Sequence, residues 1–237
     1  MHEYSVPGHV RERVLRRLGK PFAIERIDAA RAALVVVDMQ NHFVAPGFPS
    51  EVPIARSIVP NINRMAAAMR AAGSVVVWIQ TTATGALETW GNHHKHGLRP
   101  EVAARRLASL AEDAEGFKLY PALAALPADI KVKKIKFSAM LPGSSDLHEV
   151  LGRRGLDTLL VAGTTTNVCC ESTARDAMML DYRVVMLSDC TAAWTDEEHA
   201  ASLNTFQIFF GDVMTTDEAI ARLAPAARSA DRLSRPF

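Results

Sequence analysis

The stretch DTLLVAGTTTNVCCESTARDAMML, residues 157–180, decides the fold class. DTLLVAG is a short, β-branched apolar run of the kind that forms a strand buried on both faces of a parallel sheet. TTTNV is a tight polar connection, and the residues from about Cys169 onward have the pattern of a helix. A strand followed directly by a helix predicts one unit of an alternating α/β fold.

The same alternation continues on both sides of this unit. AALVVVDM (32–39), SVVVWIQT (74–81), DIKVKKIKF (129–137), YRVVMLSD (182–189) and a short run near DVMTT (212–216) predict five more strands. Helical segments separate them, and Thr195 with Glu198 forms a capping-box signature for one of these helices. We therefore expect a three-layer α/β/α fold with a doubly wound, mainly parallel, six-stranded sheet.

Composition excludes several classes of function. The chain has 237 residues, 49 % hydrophobic and 22 % charged, and a net charge of +1. This balance gives no electrostatic reason to expect nucleic acid or an anionic membrane as a partner. We see no secretory signal and no apolar run long enough to span a bilayer. Three cysteines without a disulfide spacing favour a reducing compartment, so we expect a cytoplasmic protein.

The domain organisation expected from the sequence is simple. Residues 1–30 form an N-terminal helical extension, in which HVRERVLRRLG (9–19) predicts an amphipathic helix docked on the body or on a second subunit. Residues 31–237 form a single domain that closes with a helix TDEAIARLAPAAR (216–228). The longest irregular stretch runs from Thr81 to about Gly97, and a loop of that length is usually functional or mobile.

Ligands of doubly wound sheets bind outside the carboxyl ends of the strands, which directs attention to the residues that follow each strand: Asp38, Gln80, Lys134 and Lys136, residues 164–169, and Asp189. A buried Asp needs a partner, and a lysine near a thiol stabilises its thiolate. A thiol in the first turn of a helix also meets unpaired N–H groups, so we expect a lowered pKa at Cys169. Helical phase turns Cys170 toward Ala174 and the sheet, where it serves as packing.

Three blocks of the sequence together carry a family resemblance: LVVVDMQNHF, KKIKFSAM and GTTTNVCCESTARDAMMLDYRVVMLSD. The chain resembles the isochorismatase-like cysteine hydrolases, which include ureidoacrylate amidohydrolases and N-carbamoylsarcosine amidases. The resemblance implies that Asp38, Lys134 and Cys169 are the catalytic residues. It also implies a cis peptide between Thr164 and Thr165, and an oxyanion hole made by the N–H groups of Thr165 and Cys169.

Within that family, Cys169 disfavours the vinyl-ether hydrolases, which lack the nucleophile. His93, His94 and His96 invite a zinc hypothesis, but their spacing fits no common site, so we expect neither metal nor cofactor. Asn92, His94 and Lys95 resemble a loop of the ureidoacrylate amidohydrolases, whereas Phe137 and Phe43 stand where those enzymes tend to have tyrosine. The residues predicted to contact substrate are Gln40, Asn41, Phe43, Trp90, His94 and Phe137.

The expected activity is therefore hydrolysis of a carbon–nitrogen bond other than a peptide bond. The substrate is a small linear amide, ureido or carbamoyl compound, and the family implies a homo-oligomer, either a dimer or a tetramer. Two alternatives stay open: a thiol redox or sensor protein that uses Cys169 and Cys170, and a catalytically silent family member that acts as a binding protein.

Overall fold

The computed structural model describes residues 1–225 and contains a six-stranded sheet and a two-stranded sheet. The strands, in chain order, are β1 (Ile27–Asp28), β2 (Ala32–Val37), β3 (Val75–Thr81), β4 (Ile130–Lys134), β5 (Thr158–Thr164), β6 (Arg183–Ala192), β7 (Asp212–Met214) and β8 (Leu223–Ala224). The helices are α1 (Gly8–Leu18), α2 (Asn41–Val44), α3 (Ala55–Ala71), α4 (Ala86–Thr89), α5 (Gly91–His96), α6 (Pro100–Ser109), α7 (Leu147–Gly152), α8 (Glu171–Met179), α9 (Asp196–Phe209) and α10 (Thr216–Arg222).

The large sheet has the order β4-β3-β2-β5-β6-β7, and every neighbouring pair is parallel. From β2 the chain first builds outward through β3 and β4, then returns to the other side of β2 and continues through β5, β6 and β7. The predicted doubly wound six-stranded sheet is therefore confirmed. The point where the direction reverses lies between β2 and β5.

Helices cover both faces of the sheet because its central strands are apolar on both sides. On one face, the alternate residues of β2 that include Leu34 and Val36 pack against α3. On the other face, Ala33 and Val35 belong to a cluster that includes residues of α7, α8 and α9. This sandwich holds the carboxyl ends of β2, β3, β4 and β5 side by side at one edge.

The N-terminal segment packs on the body of the domain. Val10 and Val14 of α1 are buried against Ile208 of α9. The N–H groups of Ala23 and Ile24 donate to the buried carboxylate of Asp212 at 2.9 and 2.7 Å. β1 pairs with β8, so the segment contributes to the same folded unit.

Several elements differ from the sequence-based expectation, among them the unpredicted strands β1 and β8. The stretch from Thr81 to Gly97 is not one irregular loop, because it contains the short helices α4 and α5, and the unpredicted α6 follows it. The closing helix α10 ends at Arg222, since β8 follows directly, and residues 226–228 of the predicted helix lie outside the described residues.

Within residues 1–225, no helix is long and apolar enough to cross a membrane.

Gly163 allows β5 to approach β2 next to the end of that strand. Its φ is +112°, a value that side-chain-bearing residues rarely adopt. A Cβ at this position would lie 2.0 Å from the carbonyl oxygen of Val37, the residue before Asp38. The glycine therefore sets how closely the strand leading to Cys169 approaches the strand leading to Asp38.

We expect Gly163→Ala to lower the free energy of unfolding by about 3 kcal/mol or more, because it adds both backbone strain and a backbone clash. Urea denaturation followed by circular dichroism measures the change. Gly152→Ala is the matched control, because a methyl group added at Gly152, the last residue of α7, would meet no atom within 4 Å, and it should change stability by at most about 1 kcal/mol. Equal effects of the two substitutions would contradict the proposed packing.

Candidate active site

Asp38, Lys134 and Cys169 meet at the carboxyl edge of the sheet. Asp38 directly follows β2, Lys134 ends β4, and Cys169 lies five residues after the end of β5. Nζ of Lys134 lies 2.8 Å from Oδ2 of Asp38 and 3.6 Å from Sγ of Cys169. The side chains of Lys134 and Asp38 are 1 % and 0 % exposed, so the sequence-predicted triad forms one buried cluster.

Thr81 joins the two ions, and the sequence did not mark it as a site residue. Its hydroxyl donates to Oδ1 of Asp38 at 2.8 Å and accepts from Nζ of Lys134 at 2.7 Å. Strand β3 lies between the strands that lead to the two ions, and Thr81 pairs in register with Lys134. The sequence does show that Thr81 ends an apolar strand. It does not show that this strand lies between the strands that lead to Asp38 and Lys134, so Thr81 could be assigned to the site only once the strand order was known.

The electrostatics of the cluster correct one expectation. Burial raises the pKa of the Cys169 thiol to about 12, and this effect outweighs the opposing charge of Lys134. Burial also acts to lower the pKa of Lys134, but the charge of Asp38, together with that of Cys169 when the thiol is ionised, outweighs burial, and the pKa is raised. In the free protein the lysine is therefore an ammonium and Cys169 a neutral thiol, not the preformed thiolate expected from a helix terminus.

The backbone at Cys169 also differs from a simple helix start. Thr166–Cys170 forms a single π-helical turn, and the α-helix α8 begins only at Glu171. The peptide bond between Thr164 and Thr165 is cis. A hydrogen bond to α9 holds this turn in place, because the hydroxyl of Thr166 lies 3.0 Å from Nδ1 of the buried His199.

The two adjacent sulfurs have different surroundings. Sγ of Cys170 lies 3.8 Å from the carbonyl oxygen of Ala162 in β5, inside the apolar layer between helix and sheet. Sγ of Cys169 faces the Lys134 ammonium, and its residue keeps 5 % exposure. All three cysteines of the chain are unbonded thiols. The packing role predicted for Cys170 from helical phase matches its position.

Comparison with known proteins shows the family of the domain that carries this cluster. The model of the Isochorismatase domain family matches residues 32–218, which span the sheet and all three residues of the cluster.

The chain belongs to the isochorismatase family.

Relatives of this chain with a curated name include amidohydrolases. The chain is 35 % identical to the ureidoacrylate amidohydrolase RutB of Variovorax paradoxus, with 93 % of this chain and 91 % of the relative covered. It is 34 % identical to RutB of Pseudomonas savastanoi, covering 94 % and 95 %. The predicted enzyme class, a hydrolase of carbon–nitrogen bonds other than peptide bonds, agrees with these relatives.

Solved structures share the architecture. A cysteine hydrolase from Pseudomonas syringae pv. phaseolicola superposes with a TM-score of 0.75 at 33 % identity, covering 86 % of this chain and 98 % of that one. N-carbamoylsarcosine amidase from Thermoplasma acidophilum has a TM-score of 0.61 at 23 % identity, covering 79 % and 97 %, and shows the fold alone. The resemblance found in the sequence is thus confirmed.

Two of the residues predicted to contact substrate, Gln40 and Asn41, form hydrogen bonds with the backbone of the protein. The amide nitrogen of Gln40 donates to the carbonyl oxygens of Thr81 and Phe117, and its oxygen accepts from the N–H of Thr81 at 2.7 Å. The amide of Asn41 donates to the carbonyl oxygen of Glu115 at 2.9 Å. Both residues connect the chain around 115–118 to the end of β2. Their contact with substrate stays a prediction.

The predicted aromatic contacts gather beside the site. Trp90 stacks on His93 with centroids 4.0 Å apart and meets the edge of Phe137 at 4.7 Å. His94 is buried, and its Nδ1 lies 3.2 Å from the carbonyl oxygen of Trp90. The histidines of this loop do not converge on a common point, since His96 is exposed. Within residues 1–225, no group of three or more His, Cys, Asp or Glu side chains could hold a metal ion.

A second cation lies near the triad and was missed by the sequence-based prediction. Arg106 of α6 lines the same pocket as Thr81 and His94, and its Cζ lies 5.8 Å from the ring centroid of the buried Phe43. Burial lowers the pKa of Arg106, and the charges of Cys169, when that thiol is ionised, and of Asp38 act to raise it. No sequence signal marks this residue, because nothing in the chain around it indicates that α6 faces the site.

We predict that iodoacetamide alkylates Cys169 slowly at neutral pH, and that the rate rises about tenfold per pH unit up to pH 10, because only the thiolate reacts and its pKa lies near 12. Peptide mass spectrometry assigns the labelled sulfur, and Cys170 and Cys190, both fully buried, serve as internal controls. A plateau in the rate below pH 9 would indicate a preformed thiolate and contradict the assignment of a neutral thiol.

Proposed function

We propose that the protein is a cysteine-dependent amidohydrolase that cleaves a small linear amide, ureido or carbamoyl compound through a thioester acyl-enzyme. The observation that carries the proposal is the position of Sγ of Cys169, 3.6 Å from a lysine that is itself ion-paired with a buried carboxylate. A nucleophile, a base and a cation in contact are the parts that acyl transfer requires. RutB relatives that act on ureidoacrylate at 35 % identity support the choice of a linear carbon–nitrogen bond.

In the first half of the reaction, Asp38 takes the thiol proton as Sγ attacks the carbonyl carbon. Oδ2 of Asp38 is suited to this task, because among the described residues it accepts no hydrogen bond of good geometry although Lys134 lies beside it. Proton transfer coupled to attack avoids the cost of a free thiolate with a pKa near 12. The N–H groups of Thr165 and Cys169 hold the developing oxyanion.

In the second half, the carbonyl re-forms, the carbon–nitrogen bond breaks, and Asp38 returns its proton to the departing nitrogen. Water then loses a proton to Asp38 and attacks the thioester, the sulfur–carbon bond breaks, and Cys169 regains its proton. The products are an acid or carbamate and ammonia or an amine. Lys134 remains protonated throughout, positions Asp38, and offsets the negative charge that moves between sulfur and carboxylate.

The alternatives left open by the sequence have distinct signatures. A redox pair needs the two sulfurs to approach each other, whereas Cys169 and Cys170 have their nearest polar contacts with different groups. A silent binding protein would hydrolyse nothing. Ammonia release over a panel of ureidoacrylate, 3-ureidopropanoate, carbamates and simple amides tests the proposal directly, and hydrolysis of none of them would contradict it. The homo-oligomer implied by the family stays a prediction.

Cys169→Ala should reduce turnover to background while the fold is retained, since the substitution removes only the attacking sulfur. Cys170→Ala is the matched control: it truncates a neighbouring buried side chain and should keep most of the activity at some cost in stability. The panel substrate with the highest rate, together with thermal unfolding of both variants, provides the measurement. An active Cys169→Ala variant, or an inactive and folded Cys170→Ala variant, would contradict the assignment.

Thr81→Val should lower kcat by about 10- to 100-fold, because the hydroxyl that aligns Asp38 and Lys134 is replaced by a methyl group of similar size. Thr158→Val is the control, since Thr158 is equally buried but begins β5 at the opposite edge of the sheet. Steady-state kinetics on the same substrate compare the two. An unchanged kcat in Thr81→Val would show that the bridge has no catalytic consequence.

A further inference from the structure

An imidazole of α9 meets the turn that carries Cys169. Nδ1 of His199 lies 3.0 Å from the hydroxyl of Thr166, the residue that begins this turn. The hydroxyl of Ser202, also on α9, donates to the carbonyl oxygen of Thr166 at a longer 3.4 Å. Among residues 1–225, Nε2 of His199 is buried without a hydrogen bond of good geometry, and the backbone of Ser188 has only a minor effect on the ring. The orientation of the imidazole therefore depends on the groups that pack against it.

Two rings of the N-terminal segment provide this packing. The ring of His2 stacks on His199 with centroids 4.3 Å apart and planes inclined by 22°. Tyr4 meets the same imidazole edge-on with centroids 5.8 Å apart, and its hydroxyl donates to Oδ1 of Asn204 on α9 at 3.0 Å. Burial, and then the charge that His2 carries when protonated, lower the pKa of His199 to about 3. The imidazole is therefore neutral, and the segment keeps it out of water.

His2 is itself held at both ring nitrogens. The N–H of Ala193, the residue after β6, donates to Nε2 at 3.0 Å. Because a backbone N–H can only donate, Nε2 carries no proton, and the proton of the ring is on Nδ1. Nδ1 donates to Oδ1 of Asp196, the first residue of α9, at 2.5 Å. The side chain of His2 is only 1 % exposed, so its ring connects the end of β6 and the start of α9 to His199 in one fixed arrangement.

We propose that His2 is a positioning residue for the nucleophile, acting through His199 and Thr166 to hold the turn of Cys169 in place beside Lys134. This inference rests on the proposed amidohydrolase function, because an attacking atom that is misplaced by about 1 Å can lose about 100-fold in rate. The family model matches residues 32–218, so His2 lies outside the matched domain. The N-terminal segment then contributes to the geometry of the site as well as to the stability of the fold.

A purely structural role of His2 has different consequences. Loss of the ring would then act like any cavity beneath the N-terminal segment: it would lower stability and leave the site unchanged. Val14→Ala is the matched control for this case. Val14 lies in the same segment, is 1 % exposed, and packs against Ile208 of the same helix α9.

The test measures the rate at which iodoacetamide alkylates Cys169 at pH 8 in the folded wild type, His2→Ala and Val14→Ala, by peptide mass spectrometry. Without the ring of His2 the turn loosens, water reaches Sγ, and the pKa of the thiol falls from about 12. We expect the rate to rise about tenfold in His2→Ala, the effect of a fall of about one pKa unit. In Val14→Ala it should stay within about twofold. Cys190 is fully buried in β6 and should remain unlabelled in all three proteins, which separates a loosened turn from global unfolding.

Steady-state kinetics on the best panel substrate provide the second readout. His2→Ala should lower kcat about tenfold and change KM by less than about twofold, because the nucleophile is misplaced while the substrate pocket is intact. Val14→Ala should change neither constant. Thr166→Val removes the hydroxyl at the other end of the same chain of contacts. It should act like His2→Ala in both assays, and the double variant should be no more than about twofold worse than either single variant.

Thermal unfolding verifies that each variant is folded, and Thr166→Val carries the test if His2→Ala does not fold. An alkylation rate at Cys169 within about twofold of the wild type in the folded variants overturns the proposal, even if the panel is hydrolysed. Equal rates in His2→Ala and Val14→Ala, or additive losses of kcat in the double variant, also overturn it. A rate that rises as expected while no panel compound is hydrolysed supports the positioning role and counts against the amidohydrolase function.

Discussion

The buried ion pair between Lys134 and Asp38 is the interaction on which the rest of the site depends. Both side chains are essentially removed from water and lie 2.8 Å apart. Such a pair contributes little net stability. Removal of one partner, however, leaves the other charge buried without a counter-ion and typically lowers the free energy of unfolding by about 3–5 kcal/mol. The fold therefore has to deliver both residues together, and it does so through strand register. Thr81, on the strand between them, ties both ions with its hydroxyl.

The site also lies where the order of the sheet reverses. Asp38 follows β2 and Cys169 follows β5, the two strands on either side of the switch point. Helices on opposite faces diverge there, which leaves a crevice at the carboxyl edge of a parallel sheet. Burial in this crevice keeps Cys169 protonated, and the carboxylate that can receive its proton lies within the same cluster. The two sulfurs of the cysteine doublet thus have separate roles: one faces the ion pair and the other fills the apolar layer beneath it.

Much of the fold and the triad could be predicted from the sequence, since both depend on strong local signals. Runs of valine and isoleucine mark the strands, and the family pattern separates Lys134 from Lys131 and Lys133. The pKa expected at Cys169 is wrong because reasoning from the helix terminus alone omits desolvation by the whole domain. The sequence places Gln40 and Asn41 close after Asp38, but it does not reveal that their side chains hydrogen-bond backbone groups of residues 81, 115 and 117. Arg106 was not predicted because α6 itself was not predicted. The neighbouring helices α4 and α5 are too short to show the helical repeat of apolar residues.

Mass spectrometry of the protein during turnover tests the central claim most directly. The enzyme is mixed with its best panel substrate, quenched in acid within one turnover, and digested to recover the peptide that contains Cys169 and Cys170. We expect an acyl adduct on Cys169 that disappears in Cys169→Ala and persists in Cys170→Ala. Turnover with no adduct on this peptide under single-turnover sampling, or an adduct carried by Cys170, would contradict the proposed nucleophile.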